Sequence, residues 1–484
     1  MTASFASRHG EIVRQLNAAA SREGLTPIDD AALLDEVTAL VERPNVLLCQ
    51  FEQEFLVVPQ ECLILTMKAN QKYFPLLDAA GRLTNKFLVV SNIHPDDPSR
   101  VIEGNERVVR PRLADAKFFF DQDRKKTLAS RVPGLDKVVY HGKLGSQGER
   151  VERLRVIAKW VAERIGADVN LADKAASLAK ADLLTDMVGE FPELQGIMGG
   201  YYARHDGEDE QVAVAIEGQY LVRRDGTGDP DSPVAAALLV ADRVETLVGI
   251  WAIGLKPTGD KDPYALRRHA LGIISVFQLI GAAATMEGGS FKLKLGELLS
   301  MTATTFRAGT VTTEVLAEIE LFIYDRYMAQ LAPLYGARTV DAVVSKTPPL
   351  HEVVKRVMAV VDFQKLPEAV PLAAANKRVG NILRKSDADA VQAVVLVERL
   401  EEPAERALYQ AFRSVAPNSD AAFVAGRYAE SLQALAPLKV PVDEFFDTVM
   451  VNADDPALRA NRLGLLAQLH AAMNRVADLS KLAT

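Results

Sequence analysis

Two cysteines in 484 residues, Cys49 and Cys62, rule out a disulfide framework. Both lie in apolar runs, "VLLCQF" and "ECLILTM", and read as buried free thiols suited to a reducing cytoplasm. No apolar run approaches the ~18 residues of a membrane-spanning helix. The opening "MTASFASRHGEIVRQ" lacks a signal-peptide core. The chain has no G-x-x-x-x-G-K-[ST] phosphate loop, no C-x-x-C, no H-E-x-x-H and no G-x-S-x-G. "DGTGDPD" begins like a dinucleotide fingerprint but has no third glycine, and no strand feeds it. Positive charge is also in short supply: the net charge of −8 argues against a generally basic nucleic-acid coat and leaves room only for local patches. What is present is apolar material. Hydrophobic residues make up 49% and charged residues 25%, enough to bury several cores. At roughly 100–200 residues per domain, two to four domains are expected.

Hydrophobic periodicity predicts helices at 11–24 and 30–42, the second stopped by Pro44. The pattern then changes. "VLLCQF", "FLVVP", "CLILTM", "KYFPLLD" and "KFLVVSN" read as short strands, and "DAAGRL" as the hairpin turn between the last two. A helix is expected from Pro111 through "RLADAKFFFDQD". Beyond residue 141 the strand signal nearly vanishes. Helices are expected from Val151 to Gly166 and at 172–189, 233–253, 263–284 and 313–333. A charged loop at 204–232 and a break at 345–352 interrupt them, and the remainder is helical.

A few clusters carry chemistry. In "NKRVGNILRK", Lys377, Arg378, Arg384 and Lys385 are basic with no acid between them. On a helix, Arg378, Asn381 and Lys385 fall on one face. "ALRANRLGLLAQL" places Arg459 and Arg462 three apart, backed by Leu463 and Leu466. Such faces either bind RNA phosphates or are solvated arginine stems covering apolar surface. Phe118, Phe119 and Phe120 cannot all face one core on a helix, so one ring must point elsewhere. "YYARHDGEDE" offers His205 beside Asp206, a pair able to ligate a metal, but its acidic, glycine-containing setting reads as a solvated loop.

Longer words add to this. "TMKANQKYFPLLDAAGRL", "GNERVVRPRLADAKFFFDQDRKK", "EFPELQGIMGGYYARHDGE", "GDKDPYALRRHALGI" and "AANKRVGNIL" together resemble the β subunit of the bacterial heterotetrameric glycyl-tRNA synthetase. The resemblance covers nearly the whole chain, which starts inside the family pattern, without the family's N-terminal segment. It implies a multidomain, mainly α protein. Residues 1–140 would form an α+β domain with a small sheet, 141–335 a helical domain similar to HD phosphohydrolases, and 336–484 a helical bundle similar to the arginyl-tRNA synthetase anticodon-binding domain. It implies the tRNA-binding subunit of glycine–tRNA ligase, partnered by an α subunit in α2β2, with no catalytic residue and no cofactor on this chain. ATP and Mg²⁺ would be used by the α subunit, in the cytoplasm, without membrane or DNA. The tRNA-binding residues so implied are Lys377, Arg378, Asn381, Arg384, Lys385, Arg459 and Arg462. In the HD register, "LAKADLLTDM" puts Ala181 where the family has imidazole and leaves Asp182, while "LLVADRVETL" supplies Asp242. That set is degenerate, so no metal is expected. The alternatives are a metal-dependent HD-type phosphohydrolase and a noncatalytic interaction scaffold.

Overall fold

The structure, a computed structural model, describes residues 3–220, 230, 232–286, 292–386 and 394–483. It divides into two compact units, residues 1–162, 167–221 and 230–239 in one and 163–166, 222–229 and 240–484 in the other.

The first unit opens with α1 (Phe5–Arg22) and α2 (Ala31–Leu40), capped by the Ser4 and Asp30 side chains. Four antiparallel strands follow: β1 (Thr26–Pro27), β2 (Asn45–Gln50), β3 (Phe74–Leu77) and β4 (Leu83–Ser91), in the spatial order β1-β3-β4-β2. Leu48 pairs with Leu88 and Cys49 with Phe87 across β2 and β4. Ile12, Leu16 and Ala20 of α1 bury against Leu33, Val37, Phe74, Leu76 and Leu88. The expected hairpin turn is present. Asp78 accepts from the amides of Ala80 and Arg82, both at 2.9 Å, and Gly81 takes φ 76°.

Two of the expected strands are helical. "FLVVP" falls in a 3₁₀ turn, Gln53–Val57. "CLILTM" lies in α3 (Gln60–Gln71), where Cys62, Leu63, Thr66 and Met67 are buried at helical, not alternating, spacing. Pro59 precedes the first turn and Lys72 ends it in the left-handed region at φ 58°. Both thiols are buried, and the Cys62 Sγ donates to the Met198 sulfur at 3.2 Å.

The helix expected to begin at Pro111 begins twelve residues earlier, as α4 (Ser99–Asp123) with Pro111 in its interior. Of its three consecutive rings, Phe120 is buried and Phe118 is 57% exposed. The short α5 (Leu128–Arg131) and α6 (Gln147–Ile165) follow, with β5 (Val139–His141) and β6 (Gly145–Ser146) paired between them. The single helix expected at 172–189 is three pieces: α7 (Val169–Leu178), a 3₁₀ turn Ala181–Leu184, and α8 (Asp186–Glu190). Thr185 divides them, its hydroxyl donating to the Asp182 carbonyl at 2.6 Å and accepting from the Val188 amide as the α8 cap. Asp123, at the end of α4, is the anchor beneath. Its carboxylate accepts from the amides of Asp186 and Met187 at 2.8 and 3.0 Å and from the Tyr202 hydroxyl at 2.8 Å. The expected loop 204–232 also contains structure: α9 (Ile197–His205) runs into it and α10 (Glu210–Gly218) lies within it.

The second unit is helical. It holds most of α11 (Pro233–Ala252), then α12 (Leu266–Met286), α13 (Leu295–Thr304), α14 (Thr313–Tyr335), α15 (Ala337–Val344) and α16 (Val353–Phe363). The helix expected from Pro263 starts at Leu266. Asp262 caps it by accepting from the Leu266 and Arg267 amides at 2.8 and 2.9 Å, the favourable place for a carboxylate. A terminal bundle follows: α17 (Ala369–Lys385), α18 (Pro403–Val424), α19 (Tyr428–Gln433), α20 (Lys439–Thr448) and α21 (Pro456–Met473).

Candidate nucleic-acid interface

The sequence of α17 decides which residues it shows. Leu372, Ala373, Asn376 and Val379 are buried, while Lys377, Arg378, Asn381, Arg384 and Lys385 are exposed. Asn376 fixes the helix's rotation. Its side-chain amide and that of Asn474 each donate to the other, at 2.9 and 3.0 Å, inside the bundle. Gly380 sets its distance from α21, since a Cβ there would stand 3.0 Å from His470 Nε2.

The exposed side of α17 forms one wall of a cleft of about 470 Å³. Lys377, Arg378, Asn381 and Lys385 line it, joined by Ser386 and Asn452. No carboxylate is among the described lining residues. Among the described residues three cations thus converge with no counter-charge in the lining, the arrangement that attracts an anion. Two details shape the surface further. The Arg378 guanidinium lies over the Phe446 ring of α20, 4.2 Å from its centroid. The Asn381 Oδ1 accepts from Arg384 at 2.8 Å, leaving the Asn381 amide nitrogen as a donor.

Four of the seven residues expected to bind tRNA therefore meet at one cleft, and a fifth, Arg384, is tied to it through its hydrogen bond to Asn381. Arg459 is half-buried on α21 and does not line the cleft. Arg462 departs from the expected exposed face. It is 5% exposed, its guanidinium paired with the fully buried Glu405 and donating to the Met450 carbonyl at 2.7 Å. The helix carrying Arg462 is buried on most sides, so the i, i+3 spacing with Arg459 spans two environments. Sequence reading missed Phe446, Ser386 and Asn452. "EFFDT" held a usable signal for the first, because two adjacent rings on a helix cannot both face inward. Indeed, Phe445 is buried and Phe446 is only half-buried.

The HD-type positions have a different character. Asp182 sits in the 3₁₀ turn, fully buried. Its Oδ2 accepts from the Gly196 amide at 2.5 Å, and its Oδ1 meets no hydrogen-bond partner among the described residues. Burial pushes its carboxyl up to about 6, against the Gly196 hydrogen bond and the charge of Lys180. A carboxyl enclosed in this way, beside Ala181 in place of an imidazole, does not fit a hydrated divalent ion. Asp242 is buried on α11. Among the described residues, no group of three or more His, Cys, Asp and Glu side chains is placed to hold a metal. His205 and Asp206 fall at the end of α9, not in an open loop. Asp206 spends its carboxylate on the Leu128 amide, at 2.7 Å, at the start of α5.

The chain was compared with known proteins. A family model described as glycyl-tRNA synthetase beta subunit matches residues 1–345. A second, described as DALR anticodon binding domain, matches residues 372–481 and so takes in most of α17 and all of α18 to α21. The glycine–tRNA ligase beta subunit of Dechloromonas aromatica is 61% identical over 490 residues, covering 99% of this chain and 67% of that one. The proteins of the same description from Thiobacillus denitrificans and Delftia acidovorans are 60% and 61% identical, over 99% of this chain and 68% of theirs.

Proposed function

The chain belongs to the glycyl-tRNA synthetase beta subunit family, and from that premise we propose that it is the tRNA-binding subunit of glycine–tRNA ligase. It holds glycine tRNA while ATP-dependent glycylation takes place at a partner α subunit, in an α2β2 assembly in the cytoplasm. Its contribution is positioning: a bound tRNA whose 3′ end is delivered to the active site reacts as if its effective concentration were raised. The chain itself carries no adenylate-forming site, and ATP and Mg²⁺ belong to the α subunit.

The observation that carries this reading is the cationic cleft on α17, with no carboxylate among its described lining residues, inside the stretch matched by the anticodon-binding model. Lys377, Arg378, Lys385 and, on its rim, Arg384 meet the tRNA there, with Asn381 among them. Residues 141–335 serve as a helical scaffold of HD-like plan, between a 1–140 domain and a 336–484 bundle. No observation favours a hydrolase, since the buried Asp182 has Ala181 beside it where an imidazole would stand.

The test is reconstitution. The purified chain alone is expected to show no glycine-dependent pyrophosphate exchange and no glycylation, and to bind glycine tRNA in a filter assay. Adding the α subunit restores glycylation. Exchange by the chain alone beyond contamination, or no tRNA binding with or without α, overturns the reading.

A further inference from the structure

The cleft contains more than charge. Phosphate binding needs cations only, and those are met by flexible lysines as well as by arginine. Here one of the three cations has an aromatic partner. The Arg378 guanidinium carbon stands over the Phe446 ring, 4.2 Å from its centroid, a contact that holds the side chain on the cleft wall. A guanidinium plane is one of the surfaces on which unpaired RNA bases stack. A cleft of about 470 Å³ falls within the size range of small-ligand pockets and admits a single nucleotide but no duplex. Three of the lining groups also present donors. Lys377 and Lys385 only donate, and the Asn381 amide nitrogen is a donor beside an oxygen that accepts from Arg384.

We infer that the Arg378–Phe446 pair is a stacking platform for one unpaired nucleotide whose base turns an acceptor-rich edge to Lys377, Asn381 and Lys385. Guanine, cytosine and uracil present carbonyl acceptors to such a wall. Adenine places an exocyclic amine there and leaves one of the donors unpaired. Phe446 is then a positioning residue, acting through Arg378. This inference rests on the tRNA-binding reading above and adds to it the kind of contact and the kind of base.

The experiment uses the chain with its α subunit and glycine tRNA transcripts in which each unpaired anticodon-loop base is replaced in turn by adenine. Dissociation constants are measured across a range of salt concentrations for wild type, Arg378→Lys, Phe446→Leu and Lys385→Ala. Arg378→Lys keeps the charge and loses the plane, while Phe446→Leu keeps the bulk and loses the ring. For wild type, one loop position is expected at which adenine weakens binding. Both plane-breaking variants are expected to weaken native tRNA roughly five- to hundred-fold, the range of one lost base stack. They do so without changing the salt slope, and they remove the adenine penalty. Lys385→Ala, which removes a charge and a donor to the base together, is expected to flatten the salt slope and to reduce the adenine penalty. Wild-type-like binding and discrimination by both Arg378→Lys and Phe446→Leu, with unaltered melting, would mean that the cleft neutralises phosphate only, and the inference fails while tRNA binding stands. Absence of tRNA binding by the wild-type complex removes both. If Phe446→Leu melts early, Arg378→Lys alone decides, because its side chain is exposed.

Discussion

Asp182 is a residue whose chemistry the sequence suggested and whose cost only the structure shows. Its carboxyl is enclosed and raised to about 6 by burial, so the folded state holds a proton that the unfolded chain releases near pH 4. Between those values the folded state binds more protons than the unfolded one, so stability falls as pH rises through this window and is constant above it. Asp182→Asn removes the ionisation. It is expected to stabilise the protein at pH 7 by on the order of 2 kcal/mol relative to wild type, with the gain vanishing below about pH 4. Denaturant titrations at pH 4, 5, 6 and 7 check this, and a gain independent of pH would contradict it. Arg462 illustrates the opposite misreading. Its sequence neighbours suggested a surface cation, yet it is paired with Glu405 inside the bundle. Arg462→Ala or Glu405→Ala leaves a buried charge alone and is expected to cost about 3–5 kcal/mol, whereas Arg462→Met with Glu405→Leu costs much less. Comparing the unfolding midpoints of the two single variants and the double variant tests the pairing. A loss of tRNA binding in Arg462→Ala alone would therefore report unfolding, not an RNA contact.

At the scale of elements, the legible features were those whose cause lies within a few residues. The "DAAGRL" turn was readable because Asp78 and Gly81 perform their roles locally. The cap on α12 likewise has a local cause, since Asp262 stands four residues before Leu266. "CLILTM" was not. A six-residue apolar run fits a buried strand or a buried helix equally well, and the choice was made by Pro59 and Lys72 at its ends. The helix α4 was misplaced because proline usually marks a first turn, yet here it lies at an exposed mid-helix position. Pro111→Ala should restore a hydrogen bond to the Arg107 carbonyl and raise the melting temperature, and an unchanged or lower value would show that α4 accommodates the proline without cost. The start of α8 has a local signal in its Thr185 cap, but it also leans on Asp123, 63 residues from Asp186 in sequence, which no local pattern announces. Asp123→Ala strips the partners from two amides and from Tyr202 and is expected to cost about 3 kcal/mol or more. Asp123→Asn, which retains one carbonyl acceptor, should recover part of that loss in the same denaturation assay.

For the molecule as a whole, composition limited the answer and long motifs supplied it. A net charge of −8 means that RNA must be met at a patch, and α17 provides one with no carboxylate among its described lining residues. Four of the expected residues share that patch because i, i+3, i+4 and i+7 spacing on a helix is a local property. Phe446 and Asn452 join them only through the packing of the bundle, which sequence alone does not reveal. If Lys377 and Lys385 each neutralise a phosphate, removing either should flatten the salt dependence of tRNA binding by roughly 0.7–0.9 in log–log slope, and an unchanged slope would take that lysine off the backbone. The buried thiols carry a consequence for studying this assembly in solution. Burial holds both Cys49 and Cys62 up to about 12, so thiolate is scarce at neutral pH and maleimides have little to attack. A thiol-reactive dye should leave the native chain unlabelled over minutes and count two groups in denaturant. A single cysteine introduced at an exposed apolar position such as Val424 or Met450 would then be the only labelled atom in the molecule, allowing fluorescence or spin probes without first removing the natural cysteines.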